Sequence, residues 1–402
     1  MSNQDQEYVQ PISFSRVGAF VGLVALSLFG AIWAKPILVP IVFAILFSLM
    51  LRPLCNFLGR WIQPEWLAIT ITFLIAALPI AAAILLFTFQ TISVVEDLPT
   101  ITEEFQESIN RIANVITDEF PIDIEISGTE WVQEQFGDAL DEPFVYIRGL
   151  VAGGAGLIAS LLLIFLYTFM LLLYRQPIYH FVLGQFGIPN RRRMELVMAD
   201  TQRMSYTYLK GLGLVMIILG FLNSAGLTLI GIEYAFFWGF FAAFLAIIPY
   251  VGTFLGGLMP FLYALSTTDT TWQPVAVVAL FTVVQAIEGN IITPKVVGSS
   301  IQVNPLAAIL ALFIGGFIWG VEGLILALPV TAMLRIVLVH SGRFRPFGLL
   351  LSDELQDRES EFLTLLDKPR YRIINLFRNI PSQVVEMKDP TGDSDETNVD
   401  AS

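Results

Sequence analysis

The sequence predicts an all-α polytopic membrane protein, and three features of its composition support this prediction. The 402 residues are 55% hydrophobic, and their mean hydropathy is +0.70. Only 14% of the residues are charged, against roughly 25% in a soluble domain. Several apolar runs exceed the roughly 18 residues that favour a membrane-spanning helix. We expect about six full spanning helices plus two Gly/Pro-broken helical hairpins, or about eight to ten membrane segments, with a small acidic extracytoplasmic helical insert.

The first region, residues 1–92, combines a polar tail with three spans. Residues 1–13 lack the positive segment of a cleaved signal peptide, so we expect a short N-terminal cytoplasmic tail. The spans are expected at 17–34, 37–51 and 67–89, where Lys35-Pro36 ends the first and Arg52-Pro53 ends the second.

The second region, residues 93–148, has a different composition. Fourteen acidic residues and one basic residue lie between positions 96 and 142. Apolar residues from Phe105 to Ile116 recur at helical spacing. This pattern predicts a small acidic helical insert outside the bilayer.

The third region, residues 149–340, holds the remaining spans and the two broken hairpins. Spans are expected at 149–174, 211–230 and 275–292, and the hairpins at 236–265 and 306–339. The first hairpin is interrupted at PYVG (249–252) and again at Gly256, Gly257 and Pro260; the second is interrupted at Gly315, Gly316 and Gly320. Re-entrant hairpins and pairs of full spans both fit these blocks. Residues 341–402 form a cytoplasmic tail whose acidic end we expect to be disordered.

The distribution of lysine and arginine predicts the orientation. The 52–60 loop, the 175–210 loop and the 335–345 flank are basic, so we expect them in the cytoplasm. The acidic insert then lies outside, and the N- and C-termini are both cytoplasmic. Re-entrant hairpins and pairs of spans give this same orientation.

The sequence contains no pattern typical of a cofactor, a metal or an enzyme active site. A single cysteine excludes an intrachain disulfide, and two histidines, far apart in sequence, do not supply a conventional zinc site. The GAGLIA segment at 154–159 lies inside a span with no preceding strand, so close helix packing is preferred to dinucleotide binding. Walker A, HExxH and GxSxG motifs are absent, as is any basic nucleic-acid-binding domain. We predict no enzyme activity, no cofactor and no nucleic-acid partner.

Polar residues within apolar sequence of membrane length indicate a functional site in the third region. A charged side chain costs roughly 2.5–3.5 kcal/mol at the centre of a membrane helix. Proline and glycine free backbone groups that must be buried in protein or line a wet cavity. The residues that we expect to bind substrate or ion, or to act in gating, are Pro249, Tyr250, Gly252, Gln285, Glu288, Asn290, Pro294, Asn304, Pro305, Gly315, Gly316 and Glu322.

Glu288 has two interpretations. It lies one helical turn from Gln285, on one face of a helix that we expect Pro294-Lys295 to close. It either faces a cavity as a proton or substrate site, or pairs with Lys295 at the cytoplasmic interface. We also expect the breaks at 247–260 and 303–334 to meet beside Glu288 and form a gate, because corresponding broken segments mark transporter binding sites.

Glu322 and Asn304 have structural interpretations as well. Glu322 follows a glycine at the turn of the last apolar block, which favours an interfacial turn residue over a site residue. Asn304-Pro305 fits an N-cap followed by proline in the first helical turn. The same arrangement is compatible with a half-helix end that faces a polar ligand.

Three segments resemble the signature blocks of a known family. They are IIPYVGTFLGGLMP at 247–260, EGNIITPKVVGSSIQVNPL at 288–306 and GGFIWGVEGLILALPVTAML at 315–334. With the order of spans, insert and hairpins, they are similar to the autoinducer-2 exporter (AI-2E) family of bacterial membrane transporters over roughly residues 15–340. The resemblance implies a multi-pass protein of the bacterial inner (plasma) membrane. Glu322 departs from the family pattern, because many members have an apolar or small residue there.

We therefore expect a secondary transporter, an ion-gradient-driven exporter of a small polar metabolite or signalling molecule similar to autoinducer-2. The alternatives are a Na⁺/H⁺ antiporter or channel of the same family and, in another class, a non-transporting membrane scaffold. A scaffold does not require Gln285, Glu288 and Asn290 inside the membrane, whereas a transporter does. The expected partners are the lipid bilayer, a small polar solute, a coupling ion (H⁺ or Na⁺) and further copies of the chain in a homo-oligomer.

The opposed charges of two loops predict that 96–142 face the outside and 176–205 face the cytoplasm. Ser108→Cys and Gln185→Cys, each in a Cys55→Ser background, should label oppositely with an impermeant maleimide in intact cells. Ser108→Cys should react and Gln185→Cys should not. Labelling of Gln185→Cys alone would invert the orientation.

Overall fold

The computed structural model describes residues 14–78, 154–249, 251–268, 270, 272–298, 301–341, 344–355, 360 and 362–364. The acidic region 93–148, the end of the C-terminal tail and Tyr250 lie outside these residues, so the predictions made for them stay predictions. The described residues are helical apart from short connections and an isolated β-bridge. The helices are α1 (Phe14–Trp33), α2 (Lys35–Leu58), α3 (Glu65–Leu78), α4 (Gly154–Leu173), α5 (Arg175–Gly184), α6 (Ile188–Ile230), α7 (Ala235–Leu245), α8 (Val251–Thr267), α9 (Trp272–Ile287), a π-helix (Glu288–Ile292), α10 (Thr293–Val296), α11 (Pro305–Trp319), α12 (Val321–His340) and α13 (Arg345–Leu350).

Helices α2, α3 and α4 pack together around one apolar core. Their shared core consists of Leu51, Cys55, Ile69, Phe73 and Leu172. α2 continues through Pro53 to Leu58, so the prediction that the second span ends at Arg52-Pro53 is wrong. A proline removes one backbone donor, but packing on both sides of Pro53 holds this helix together.

The junction of α4 and α5 is bent by 67°. Arg175, the first residue of α5, donates to the carbonyl oxygen of Leu172 at 3.0 Å. Its Nη1 also pairs with Glu65 Oε1, at the start of α3, at 2.5 Å. Arg175 therefore links the bend to α4 through Leu172 and to α3 through Glu65.

α6 is the longest helix, with 43 residues, and is about 65 Å long at 1.5 Å per residue. We expected a loop over 175–210. That prediction is wrong for 175–184, which form α5, and for 188–210, which are helical and continuous with the span at 211–230. Residues 190–210 contain no proline or glycine and are rich in residues that favour helices. Tertiary contacts add support, because α6 and α12 share a core of Val197, Met204, Tyr208, Ala332 and Ile336.

α7 and α8 form the first hairpin and pack against the C-terminal half of α6. A Cβ atom placed on Gly239 of α7 would lie 2.7 Å from Ser224 Cα of α6, so this crossing requires glycine. The hairpin breaks after α7, at 246–249, near the predicted PYVG break, but α8 runs without interruption through Pro260. The second predicted break is therefore wrong. A Cβ on Gly256 would lie 2.9 Å from Ala242 Cα, so this glycine brings the two helices together instead.

α11 and α12 form the second hairpin, which turns at Gly320 with a φ of 68°. A Cβ on Gly315 would lie 2.5 Å from the carbonyl oxygen of Gly323 and 3.2 Å from Ala327 Cβ. The hairpin packs against α2 and the N-terminal half of α6. The predicted glycine break is thus the turn and the close contact of a helical pair.

Residues 301–304, which lead into α11, are held by the segment after α12. Ser352 forms a β-bridge with Val303, and the amide of Asn304 donates to the Leu351 carbonyl oxygen at 2.9 Å. Buried Arg335 of α12 donates to Gln302 Oε1 at 2.9 Å and to Ser352 Oγ at 3.0 Å. One guanidinium therefore ties the end of the second hairpin to its beginning.

Four described helices are long and apolar enough to cross a membrane, within Lys35–Leu58, Asn190–Ile230, Trp272–Val296 and Val321–His340. The bent pair α4–α5 supplies a fifth candidate if it counts as one span. These helices agree with an all-α membrane protein. The predicted count of about six spans stays a prediction.

The contact between Gly315 and Gly323 should be sensitive to a single methyl group. Gly323→Ala places Cβ against the Gly315 carbonyl, so we expect a loss of about 1–3 kcal/mol of stability from overpacking. Denaturant titration in mixed micelles measures this loss. Gly213→Ala is the matched control, because nothing lies within 4 Å of its Cβ position. Equal stability of the two variants would contradict the prediction.

Candidate functional site

The helix that begins as α9 changes its hydrogen-bonding pattern at Glu288. Residues Glu288–Ile292 form a π-helix, in which the amide of Thr293 donates to the Glu288 carbonyl, five residues earlier. Such wide turns are rare and occur frequently at functional sites. The helix then continues as α10 and ends near Gly298, whose φ is 59°.

Pro294 lies inside this helical segment, so the prediction that Pro294-Lys295 closes the helix is wrong. Proline has no amide hydrogen, and in an α-helix its ring clashes with the carbonyl four residues earlier. The π-turn immediately before Pro294 is wider and uses the carbonyl five residues back. The chain therefore passes the proline and continues to Val296.

The Glu288 carboxylate is bonded by two neutral side chains. Gln285 Nε2 donates to Glu288 Oε2, and Thr293 Oγ1 donates to Glu288 Oε1 at 3.1 Å. The prediction that Gln285 and Glu288 share a helix face is confirmed. In the part of the chain that the structure describes, no basic side chain lies within 4.0 Å of this carboxylate. The alternative in which Glu288 pairs with Lys295 is therefore not what the structure shows.

The π-turn is the reason that Thr293 reaches Glu288. Five residues of an α-helix, at 100° each, place two side chains about 140° apart. In a π-turn, residues five apart lie on the same face, because the hydrogen bond joins residue i to i+5. The local backbone thus creates the hydroxyl–carboxylate contact.

One face of the π-helix packs in an apolar core, and the opposite face carries polar side chains. Ile292 is buried with Val215, Leu219, Ala243 and Val284. Glu288 is half-buried, while Gln285 and Asn290 are exposed. Asn290 Nδ2 donates to the Ala286 carbonyl of its own helix at 2.8 Å. Among the described residues, the side chains that donate to the Glu288 carboxylate are those of Gln285 and Thr293.

The site lies along α6, between the two hairpins. A Cβ on Gly211 of α6 would lie 3.1 Å from the Val296 carbonyl oxygen and 3.1 Å from Val297 Cα. The first hairpin contacts α6 on the C-terminal side of Gly211, and the second contacts α6 on its N-terminal side. Gly211 therefore allows α10 to cross α6 closely.

The two hairpin breaks do not meet in the described residues, contrary to our expectation. Gly252 is buried and Pro249 is half-buried at the α7–α8 connection, where a Cβ on Gly252 would overlap the Leu245 carbonyl oxygen. Gly315 and Gly316 lie in the second hairpin, and the described residues of the two hairpins share no extended contact. They pack against different stretches of α6, so the long helix separates the breaks.

Asn304 is an N-cap, as the sequence predicted. Its Oδ1 accepts from the Ala307 amide at 2.8 Å, and its Nδ2 donates to the Leu350 carbonyl oxygen at 2.6 Å. Pro305 occupies the first turn of α11. Both ends of the Asn304 amide are used by the protein, so this helix end does not offer the side chain to a ligand.

Glu322 forms an ion pair that fits its predicted role as a turn residue. Its Oε2 lies 3.2 Å from Lys35 Nζ, and the side chains are 46% and 38% exposed. The neighbouring Trp319 Nε1 donates to the Ala31 carbonyl oxygen at 3.0 Å. The tip of the second hairpin is thus attached to the α1–α2 junction, although an exposed pair of this kind contributes only about 0–1 kcal/mol.

Sequence reasoning missed three residues that the structure brings into these sites. Thr293 bonds Glu288, Lys35 bonds Glu322, and Arg335 joins residues 302 and 352. The π-turn could be suspected from Pro294, because a proline inside a continuing helix has no amide hydrogen to donate and clashes with the carbonyl four residues earlier. The contacts of Lys35 and Arg335 depend on chain packing and have no local signal.

Comparison with known proteins identifies the family. The sequence-family model described as "AI-2E family transporter" matches residues 21–341. The chain belongs to the AI-2E family. It is 25% identical over 345 residues to the AI-2 transport protein TqsA of Escherichia coli (strain K12), covering 84% of this chain and 96% of TqsA.

Two further relatives of this AI-2E family chain are YrrI and YhhT. YrrI of Bacillus subtilis (strain 168) is 34% identical over 155 residues, covering 39% of this chain and 43% of YrrI. YhhT of Escherichia coli (strain K12) is 24% identical over 306 residues, covering 75% of this chain and 84% of YhhT. The names of both carry the words transport protein.

The Thr293–Glu288 hydrogen bond should appear as an energetic coupling. Thr293→Val keeps the side-chain shape but removes the donor, and we expect a loss of about 1 kcal/mol of stability for this partly exposed bond. In a Glu288→Leu background the same change should cost much less, because its acceptor is absent. Denaturant titration of the four proteins of this double-mutant cycle measures the coupling. An equal cost in both backgrounds would show that the bond contributes nothing.

Proposed function

We propose that this AI-2E family chain is a secondary transporter that exports a small polar metabolite or signalling molecule, driven by a gradient of H⁺ or Na⁺. One observation carries the proposal. Glu288 lies in a candidate membrane-spanning helix, and the side chains that bond its carboxylate are neutral. Carboxylates at such positions are costly and mark ion and substrate pathways. The name of TqsA supports an autoinducer-2-like solute as the first candidate.

A proton would change the bonds around Glu288. While the carboxylate is ionised, each oxygen accepts from one neighbour, Gln285 or Thr293. A proton on Oε1 occupies the position of the Thr293 hydroxyl hydrogen, so this hydroxyl must rotate and accept instead of donate. Protonation therefore reverses one hydrogen bond that joins the π-helix to α10.

A sodium ion would use the same groups in a different way. The Glu288 carboxylate, the Gln285 carbonyl oxygen and the Thr293 hydroxyl are oxygen ligands, which hard cations prefer. To contact the ion, the Gln285 amide would rotate so that its oxygen, and not its nitrogen, points toward the ion beside Glu288. Either ion alters the contacts that fix the π-turn.

The position of the π-turn suggests how this change reaches the rest of the protein. α10 crosses α6 at Gly211, and residues 297–304 connect α10 to the second hairpin. A shift at Thr293 is therefore transmitted along the chain to α11 and, through α6, to the first hairpin.

A Na⁺/H⁺ antiporter is the second candidate. Its supporting observation is that the Glu288 cluster holds a carboxylate, an amide and a hydroxyl, each of which has an oxygen that could contact an ion. A bacterial inner-membrane location with cytoplasmic termini, and assembly as a homo-oligomer, are parts of the proposal in both cases.

Glu288→Gln should reduce gradient-driven transport to background. The glutamine amide does not take up a proton near neutral pH, and it lacks the negative charge that attracts Na⁺. The assay uses proteoliposomes with imposed H⁺ or Na⁺ gradients, autoinducer-2 and other small polar solutes. Size-exclusion chromatography verifies folding and assembly. Glu233→Gln, in the exposed turn after α6, is the matched control and should transport normally.

Two outcomes separate the candidates. Ion exchange without movement of any organic solute would favour the antiporter. An unchanged rate and pH dependence in Glu288→Gln would contradict both, and would leave Glu288 with a local structural role.

A further inference from the structure

An apolar groove lies at the elbow between α4 and α5. It has a volume of about 570 Å³ and is lined by α2, α4 and α5, through Ile41, Tyr167, Met170, Tyr174, Ile178 and Phe181 among others. Ligand sites in proteins commonly have volumes of about 300–1,000 Å³. The groove is separate from the Glu288 site, because none of its lining residues belongs to α6, α9 or the hairpins.

α5, which forms one wall, has no buried residue. The exposed fractions of Tyr174, Ile178 and Phe181 are 54%, 40% and 67%. α5 turns away from α4 by 67°, so it does not continue the direction of the preceding helix. A short helix with exposed apolar side chains that leaves a span at a steep angle fits a position in the membrane interface.

The sequence around α5 is strongly basic. Residues 174–194 contain four arginines and no aspartate or glutamate. Arg175 pairs with Glu65, while Arg191, Arg192 and Arg193 at the start of α6 are exposed. A short turn at 185–187 connects α5 to α6, so the three arginines lie in the first turns of the helix that follows the groove wall in the chain. Basic clusters next to a span attract anionic lipid headgroups.

We propose that this groove binds an anionic phospholipid, with an acyl chain against α2, α4 and α5 and its phosphate group near Arg191–Arg193. The apolar lining and the arginine cluster correspond to the two parts of such a lipid. The positive-inside rule places this stretch at the cytoplasmic leaflet. A second copy of the chain fits less well, because three adjacent arginines on each copy would repel one another.

Photo-crosslinking of the full chain in nanodiscs tests the proposal. The probes are phosphatidylglycerol and phosphatidylcholine with identical diazirine-bearing acyl chains, and mass spectrometry locates the labelled peptides. We expect phosphatidylglycerol to label α4 and α5 about tenfold more than phosphatidylcholine, since basic residues near a membrane each contribute appreciably to anionic lipid binding. Equal labelling by the two lipids, or labelling concentrated elsewhere, would overturn the proposal.

Two variants separate the acyl-chain contact from the headgroup contact. Ile178→Trp fills the groove and should lower labelling by both lipids, whereas Phe317→Trp, on the exposed side of α11, should not. The triple change Arg191→Gln, Arg192→Gln and Arg193→Gln should bring the labelling ratio of the two lipids close to one. Arg60→Gln with Lys295→Gln removes charge elsewhere and should leave the ratio unchanged.

A last measurement tests the competing occupant. Phe181→Cys in a Cys55→Ser background is treated with a short bifunctional maleimide. Efficient crosslinking between chains would show that a second copy covers the groove and would overturn the lipid proposal. Monomeric product together with the lipid labelling supports it.

Ile178 lies on a helix without buried residues, so the groove-filling variant Ile178→Trp should fold, and size-exclusion chromatography verifies this.

Discussion

The unbroken hydrogen-bonded backbone of α6 is the constraint on which the rest of the structure depends. A membrane requires every backbone group in its interior to be paired, and α6 is an unbroken helix of 43 residues that includes one of the candidate spans. Both hairpins, α2, α9 and α10 contact this helix. Because the hairpins occupy different stretches of it, their relative position is set by α6 and not by contact between them.

Glycine sets the distance at which these helices approach α6 and one another. Gly239, Gly211 and the pair Gly315 and Gly323 each lie where a side chain would meet backbone atoms of a neighbour. Lipid-facing helices gain little from the hydrophobic effect, so close backbone packing becomes a main source of their association. The glycines that looked like helix breakers in the sequence are, in the first hairpin, contact points.

Local patterns in the sequence were sufficient where the physical cause is local. The hairpins, the cap at Asn304 and the shared face of Gln285 and Glu288 follow from residue type and spacing. The continuity of α2 through Pro53 depends on packing against other helices, so it could not be predicted. The basic segment of α6 has a composition that favours a helix, but its charge was interpreted as the mark of a loop. Thr293 was missed for a different reason: its contact with Glu288 exists only in the π-register, whereas the sequence was interpreted with α-helical spacing.

The π-turn also has a geometric consequence for the helix that carries it. A wide turn is equivalent to one extra residue inserted into an α-helix, and one residue corresponds to about 100° of rotation and about 1.5 Å of rise. If the wide turn moved along α9, each side chain that it passed would rotate and slide by these amounts while the helices on both sides remained intact. The hydrogen bonds of Glu288 with Gln285 and Thr293 join residues on both sides of the wide turn. The carboxylate that we propose as the ion site therefore also holds the wide turn at its present position in the helix.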